Sequence, residues 1–255
     1  MMTPRAFILF REALTYRREA FAAGLKALGY APSFRVTDNP RPGDVLVIWN
    51  RMGEGHSRAR EFEAAKAKVL VVENGYLGKE WRGEQSFAIA QGHHNGAGRW
   101  PDGGPERWDS RGVDLAPWRE PGGECVILAQ RGIGEPGLRA PDGWLNLAVS
   151  TTKGRIRRHP GTNKDGPTLE EDLARASSVA TWSSGAAIKA LMMGVPVFYG
   201  MQSWIGASAG RPLTRFKMGP LCDDAARLAM FRRLAWAQWS MSEVESGEAF
   251  RRLLA

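Results

Sequence analysis

The chain has 255 residues, 43% hydrophobic and 24% charged, with 35 Lys and Arg against 27 Asp and Glu for a net charge of +8. That length admits one large domain or two compact ones, and the composition is that of a globular fold in water. Two cysteines are too few for a disulfide framework or a thiolate zinc site, and apolar runs no longer than a strand exclude a membrane-spanning helix.

The opening stretch, MMTPRAFILFREALTYRRE, has an apolar patch cut by Arg11 and Glu12. It lacks the long apolar segment and small-residue cleavage site of a secretory signal, so a reducing cytoplasm is the expected compartment. RAFILF (5–10) reads as a strand. Leu14, Phe21, Leu25 and Leu28 recur at helical spacing, with Gly29 as the stop. GDVLVIWN (43–50) is a buried strand, 57–67 an Ala- and Glu-rich helix, and AKVLVVENGYLG (67–78) a second apolar strand running into a glycine-containing loop. Uninterrupted apolar strands alternating with helices predict a parallel sheet covered on both faces.

Residues 91–123 break this rhythm, being dense in Gly, Pro, Arg and Trp without a period. A second α/β series follows: ECVILAQ (124–130) as a strand, QRGIG (130–134) as a glycine-rich turn, and GWLNLAVSTT (143–152) as a helix. GRIRRHP is a short strand, and 168–176 is a helix opened by Thr168 with Glu171 three residues on, the capping-box pattern. SSVATWSS is a strand, GAAIKALMMG a helix ending at Gly194, VPVFYG a last strand, and 223–254 is expected to be helical. The predicted architecture is α/β: two Rossmann-like domains, 1–120 and 121–222, facing a cleft, with C-terminal helices over 223–255. No internal repeat is present.

Open α/β sheets bind ligands beyond the carboxyl ends of their strands. Glu73, His159, Ser183 and Ser184 all fall at such predicted ends. At TWSSGAA a strand gives way to a helix, so unpaired amides and the positive end of the helix dipole meet two hydroxyls, a place for a phosphate. The competing reading is that either serine is only an N-cap. Arg155 and Arg157 share one strand face and Arg158 takes the other, so the three cannot reach one ligand; a solvated basic edge is the alternative. His93 and His94 point apart in extended chain, and no Cys or acidic pair stands at ligand spacing, so no metal site is expected.

The stretch HPG…LEEDLARASSVATWSSGAAIKALMMGVPVF resembles the C-terminal nucleotide-binding half of GT-B glycosyltransferases, above all the bacterial sialyltransferase and capsule-type Kdo transferase groups. Those families have a His-Pro motif that contacts the nucleotide and donor phosphate, followed by a hydroxyl motif that holds phosphate. The resemblance implies donor contacts from Arg157, Pro160, Ser183, Ser184 and Gly185, with His159 at the leaving phosphate. It also implies a catalytic base at Glu73 of Glu73-Asn74-Gly75, where Asn74 departs from the family's acidic pair. The absence of an Asp-x-Asp motif suits a metal-independent enzyme. The co-substrate would be a UDP- or CMP-linked sugar, and no other cofactor is expected. For Glu73 a loop carboxylate paired with a base, and for His159 a core or capping histidine, are the bland alternatives.

Trp100 and Trp118, interleaved with Arg99 and other arginines, suit stacking on flipped-out bases or on sugar rings. With the positive charge they favour a hydroxylated base in DNA, as in bacteriophage enzymes, as the acceptor. A capsule or lipopolysaccharide glycan is the alternative, and a non-catalytic basic nucleic-acid-binding module is a third reading. Packing of these tryptophans against the sheet is the structural alternative. Oligomeric state and the stereochemistry of transfer are not legible.

Overall fold

The computed structural model describes residues 3–120, 122–130, 134–135, 138–159, 166–216 and 222–255. The elements run β1 (Arg5–Leu9), α1 (Arg18–Ala27), β2 (Ala31–Ser33), β3 (Val45–Trp49), α2 (Glu54–Ala64), β4 (Lys68–Asn74), β5 (Glu80–Trp81), β6 (Glu84–Gln91) and α3 (Glu106–Asp109). Then come β7 (Cys125–Leu128), α4 (Trp144–Thr152), β8 (Arg155–Arg157), α5 (Leu169–Arg175), β9 (Ser178–Thr181), α6 (Ala186–Met192), β10 (Val197–Tyr199) and β11 (Arg211–Pro212). The chain closes with α7 (Asp224–Ala235), β12 (Gln238–Ser240), α8 (Met241–Glu245) and α9 (Glu248–Leu254).

These elements form two compact units, Met1–Gly104 with Arg233–Ala255, and Pro105–Arg232. The first unit's sheet has the order β12-β6-β4-β3-β1-β2, with β5 paired to β6. Its first four strands are parallel, as the apolar runs predict, but β6 returns antiparallel to β4, from Leu70 opposite Gln91 to Asn74 opposite Phe87. The reversal needs no crossover helix. A hairpin turn at Arg82 and Gly83, both at positive φ (53° and 77°), joins β5 to β6 directly. One sheet face packs Phe7, Leu46, Ile48, Val69 and Val71 on Phe62 of α2. An aromatic cluster of Phe21, Trp49, Phe87 and Phe250 also forms in this unit, linking α1 and α9 to β3 and β6.

The C-terminal segment is therefore no separate helical body. Gln238–Ser240 adds a strand to the first sheet, and α8 lies on α1 so closely that a Cβ on Gly24 would stand 1.9 Å from the Val244 carbonyl oxygen. The boundary expected near 120 likewise falls at Gly104, since α3 and the chain through Trp118 pack within the second unit.

The second unit is a five-stranded, all-parallel sheet, β11-β10-β9-β7-β8. Trp144 and Ala148 of α4 pack with Ile127, Ala180 and Phe198, and α6 buries Ala187, Ile188, Ala190 and Leu191. The capping box at α5 is present: the Thr168 hydroxyl accepts from the Glu171 amide at 3.2 Å, and the Glu171 carboxylate accepts from the Thr168 amide at 2.7 Å.

Candidate functional site

Glu73 lies at the carboxyl end of β4, on the strand face that also carries Val69 and Val71. Burial pushes its carboxyl up from an ordinary 4.5 to about 7, although two donors hold it back: the Tyr76 hydroxyl and the Asn95 amide, 3.2 Å from Oε1. Burial and the neighbouring Glu73 in turn raise the Tyr76 phenol well above its ordinary range, so it stays a donor. The turn between Glu73 and Tyr76 is tight. A Cβ on Gly75 would meet the Gly78 carbonyl oxygen at 2.3 Å and Ser86 Oγ at 2.8 Å. From β12, the buried Gln238 side chain accepts from the Leu77 amide at 2.6 Å and donates to Ser86 Oγ at 3.0 Å.

The loop after β6 brings in the second donor. Gly92 and Asn95, at positive φ (75° and 53°), turn the chain so that the His93 and His94 rings stack, with centroids 4.7 Å apart. This corrects the expectation that the two rings point apart, which assumed extended backbone. His94 Nδ1 accepts from the Arg51 amide at 3.1 Å, and burial, His93 and Arg51 together lower its pKa to about 4. Its neutral ring thus carries its proton on Nε2. Arg51 itself is held in a bidentate pair with Glu63 at 2.5 and 2.7 Å. Among the described residues no three His, Cys, Asp or Glu side chains gather so as to hold a metal ion.

In the second unit the parallel register aligns three strand ends. Leu128 stands opposite both Arg157 and Thr181, so Gln130, His159 and Ser183 each lie two residues beyond the same row. With neighbouring strands about 4.8 Å apart, the ends of β8 and β9 are separated by about 10 Å with Gln130 between them. Gln130 clamps the β9 end: its Oε1 accepts from the Ser183 amide at 2.7 Å and its Nε2 donates to Ser183 Oγ at 3.2 Å. Ser184 donates its amide to Thr181 Oγ1 at 2.9 Å, and its Oγ accepts from the Ala186 amide at 3.2 Å, leaving its hydroxyl proton to point elsewhere. Gly185 is exposed, with no described atom within 4 Å of where a Cβ would stand. His159 is half-buried; Pro160 and Arg131–Ile133 of the glycine-rich turn lie outside the described residues.

Other predicted contacts have structural partners. Arg157 pairs through Nε with Asp172 Oδ2 at 3.1 Å, and Arg155 takes Asp172 Oδ1 at 2.7 Å as well as Glu124 at 2.8 Å, so the two arginines do share a strand face. Trp100 is buried, donates to the Arg233 carbonyl at 3.1 Å and lies under that guanidinium. Trp118 packs under Arg227 at 4.1 Å. Neither is an open stacking platform; the Arg/Trp pattern here is internal packing. Arg99 is exposed and pairs its backbone with Gln91. A groove of about 520 Å³ in the second unit, lined by Trp108, Val113, Leu115 and Arg227 among others, includes none of the predicted site residues. Gln130, Asn95 and Gln238 carry no signal in the sequence. Only Tyr76, three residues past Glu73 in a glycine turn, carried a local signal.

No protein-family model and no curated protein sequence matches the chain. Solved structures do, two of them over nearly the whole chain. One, the beta Kdo 2,7 transferase of Thermosulfurimonas dismutans KpsC, aligns over 97% of this chain and 99% of that chain, with a TM-score of 0.58 and 12% identity. The other, the beta Kdo 2,4 transferase of the same KpsC, aligns over 92% and 91%, with a TM-score of 0.56 and 14% identity. The chain has their fold. At those identities the likeness is one of fold, and it extends across both units rather than one nucleotide-binding half.

Proposed function

We propose that this chain is a GT-B-type glycosyltransferase that moves a sugar from a UDP- or CMP-linked donor to a hydroxyl of a glycan acceptor, with Kdo or a similar acidic sugar as the unit transferred. The observation that carries this reading is the fold match to two Kdo transferases over nearly the whole of both chains. The residues fit the chemistry. Glu73, with a pKa near 7, takes the acceptor hydroxyl's proton while the bond from the sugar to the phosphate breaks and its electron pair leaves with the nucleotide. His159, the Ser184 hydroxyl and the amides at the start of α6 offset the charge growing on that phosphate. Arg157 supports this edge through Asp172 rather than by touching the donor.

The DNA acceptor gains nothing from Trp100 and Trp118, which are occupied, and the positive charge forms no single basic body. Residues 105–232 hold 17 Lys and Arg against 13 Asp and Glu, and the other unit 18 against 14, so each carries +4. The test is incubation with UDP- and CMP-linked sugars and oligosaccharide acceptors, followed by mass analysis. Nucleotide release together with a sugar-extended acceptor is expected. Release from no donor, with no thermal shift by any nucleotide, would refute the proposal.

A further inference from the structure

The two histidines after β6 are held more firmly than a surface loop requires. Resting on the transferase reading for the identity of the ligand, we propose that His93 and His94 are the acceptor-recognition element of the first unit: two imidazole N–H groups that hydrogen-bond oxygens of the acceptor sugar and so bring its hydroxyl to Glu73. Each ring is anchored through Nδ1 to the main chain. His93 Nδ1 accepts from the His94 amide at 2.9 Å, and His94 Nδ1 accepts from the Arg51 amide at 3.1 Å. A neutral imidazole carries one proton, so both rings present an Nε2–H at their outer ends. The rings stack with centroids 4.7 Å apart and planes inclined by 33°, which sets the two donors side by side. Both residues are half-buried, and among the described residues no group accepts from either Nε2 and neither nitrogen is sealed from water.

The surroundings keep the pair neutral and in place. Burial, Arg51 and His56 lower the His93 pKa against the opposing pull of the His94 amide and Glu63, while burial, His93 and Arg51 bring His94 to about 4. Neutral donors suit the hydroxyl oxygens of a sugar, where a guanidinium would favour a phosphate or carboxylate. The Arg51 guanidinium is itself committed to Glu63 and the Gly92 carbonyl, so it braces the start of the same loop. Asn95, the next residue, donates its amide to Glu73 Oε1 at 3.2 Å. The loop that carries the two rings therefore also touches the candidate base, and a sugar held by the rings has its hydroxyls on the edge where that carboxyl lies.

The test separates the two nitrogens of each ring. Asparagine reproduces the Nδ1 acceptor and lacks the outer N–H, whereas glutamine places an amide N–H near the Nε2 position. His93→Asn and His94→Asn should each raise the acceptor KM about fivefold, the loss of one neutral hydrogen bond, with kcat, nucleotide affinity and the urea midpoint held. His93→Gln and His94→Gln should recover most of that acceptor affinity while lowering the urea midpoint; a purely structural role would give the opposite order in KM. Nitrogen-15 NMR of the imidazoles in the full chain reads the same contact without turnover. Methyl glycosides of Kdo and of galactose, at millimolar concentration, should shift both Nε2 resonances and leave both Nδ1 resonances in place. In a chain that transfers sugar, an acceptor KM unchanged by both folded asparagine variants would overturn the proposal and leave the transferase reading standing. Where no donor supports transfer, glycoside-shifted Nε2 resonances would keep the pair as a glycan site and remove the transferase reading, and unshifted ones would overturn both.

Discussion

Glu73 makes the stability of the fold depend on pH in a way that a single substitution isolates. Its carboxyl titrates near 7 in the folded chain against an ordinary 4.5, so between those values the folded state binds a proton that the unfolded state has released. The sign follows: stability referable to Glu73 is fully present below about 4.5 and is lost as pH rises through about 7. The gap corresponds to about 3 kcal/mol at 1.36 kcal/mol per unit, an upper value because Glu73 keeps part of its surface in contact with water. Glu73→Gln removes the titration and keeps the shape. Urea denaturation of both proteins at pH 4.5 and 8.5 gives a double difference in which every other titrating group cancels. Relative to the parent, the glutamine variant should gain up to about 3 kcal/mol on going from the lower to the higher pH. Two stability profiles that run parallel across this range would show that Glu73 is ordinary in its ionisation and would refute its assignment as a base tuned by burial.

Gly75→Ala should destabilise the first unit by about 1–3 kcal/mol in urea melts, because the added methyl meets backbone at 2.3 Å and the turn cannot move without releasing Gln238. Asp172→Ala should cost about 3 kcal/mol, since its side chain is only 3% exposed and two guanidiniums depend on it, whereas Glu124→Ala, on the exposed side of the same network, should cost under about 1 kcal/mol. His159→Ala and Ser184→Ala should each weaken nucleotide binding by about tenfold in calorimetry, the loss of one hydrogen bond to a charged group. Neither change should alter the melting temperature by more than a degree or two, and equal affinity in both variants would remove them from the donor site.

Much of the second unit was legible because its signals are local. A capping box, a glycine after a helix and apolar runs of strand length each act within a few residues, and α4, α5, α6, β7 and β9 follow them. The first unit was less legible where pairing is long-range. β6 reads as an unremarkable stretch in isolation and becomes a strand because β4 and β12 flank it, the latter from 150 residues further along the chain. Spacing places Leu14 with the first helix, yet it is 90% exposed in a separate short turn, because Arg17 at φ 49° breaks the helix before Arg18. The strand-end place of Glu73 was legible, and its role as a base came with the family resemblance. Its raised pKa, its phenol partner and the Gln238 clamp were not legible, since each depends on what the fold packs around that end.

The charge shows the same division between what a residue is and what its neighbours make of it. Of the 35 basic residues 27 are arginine, and arginine's planar fork can brace several acceptors at once where lysine presents a point charge. The fold uses it that way. Arg119 reaches the carbonyls of Leu173, Ala174 and Ala176 at the end of α5, at 2.5, 3.1 and 2.9 Å. Arg5 forks onto Asp44, Arg51 onto Glu63, Arg155 onto Glu124 and Arg232 onto Asp109. An arginine held in this way has surrendered most of its capacity to bind a phosphate backbone. Each such ion pair already cancels within the count of 35 against 27, so the +8 is the surplus left after pairing, while the arginine-rich, tryptophan-rich segment itself follows from a fold braced by cations as well as it would from a polyanion-binding surface.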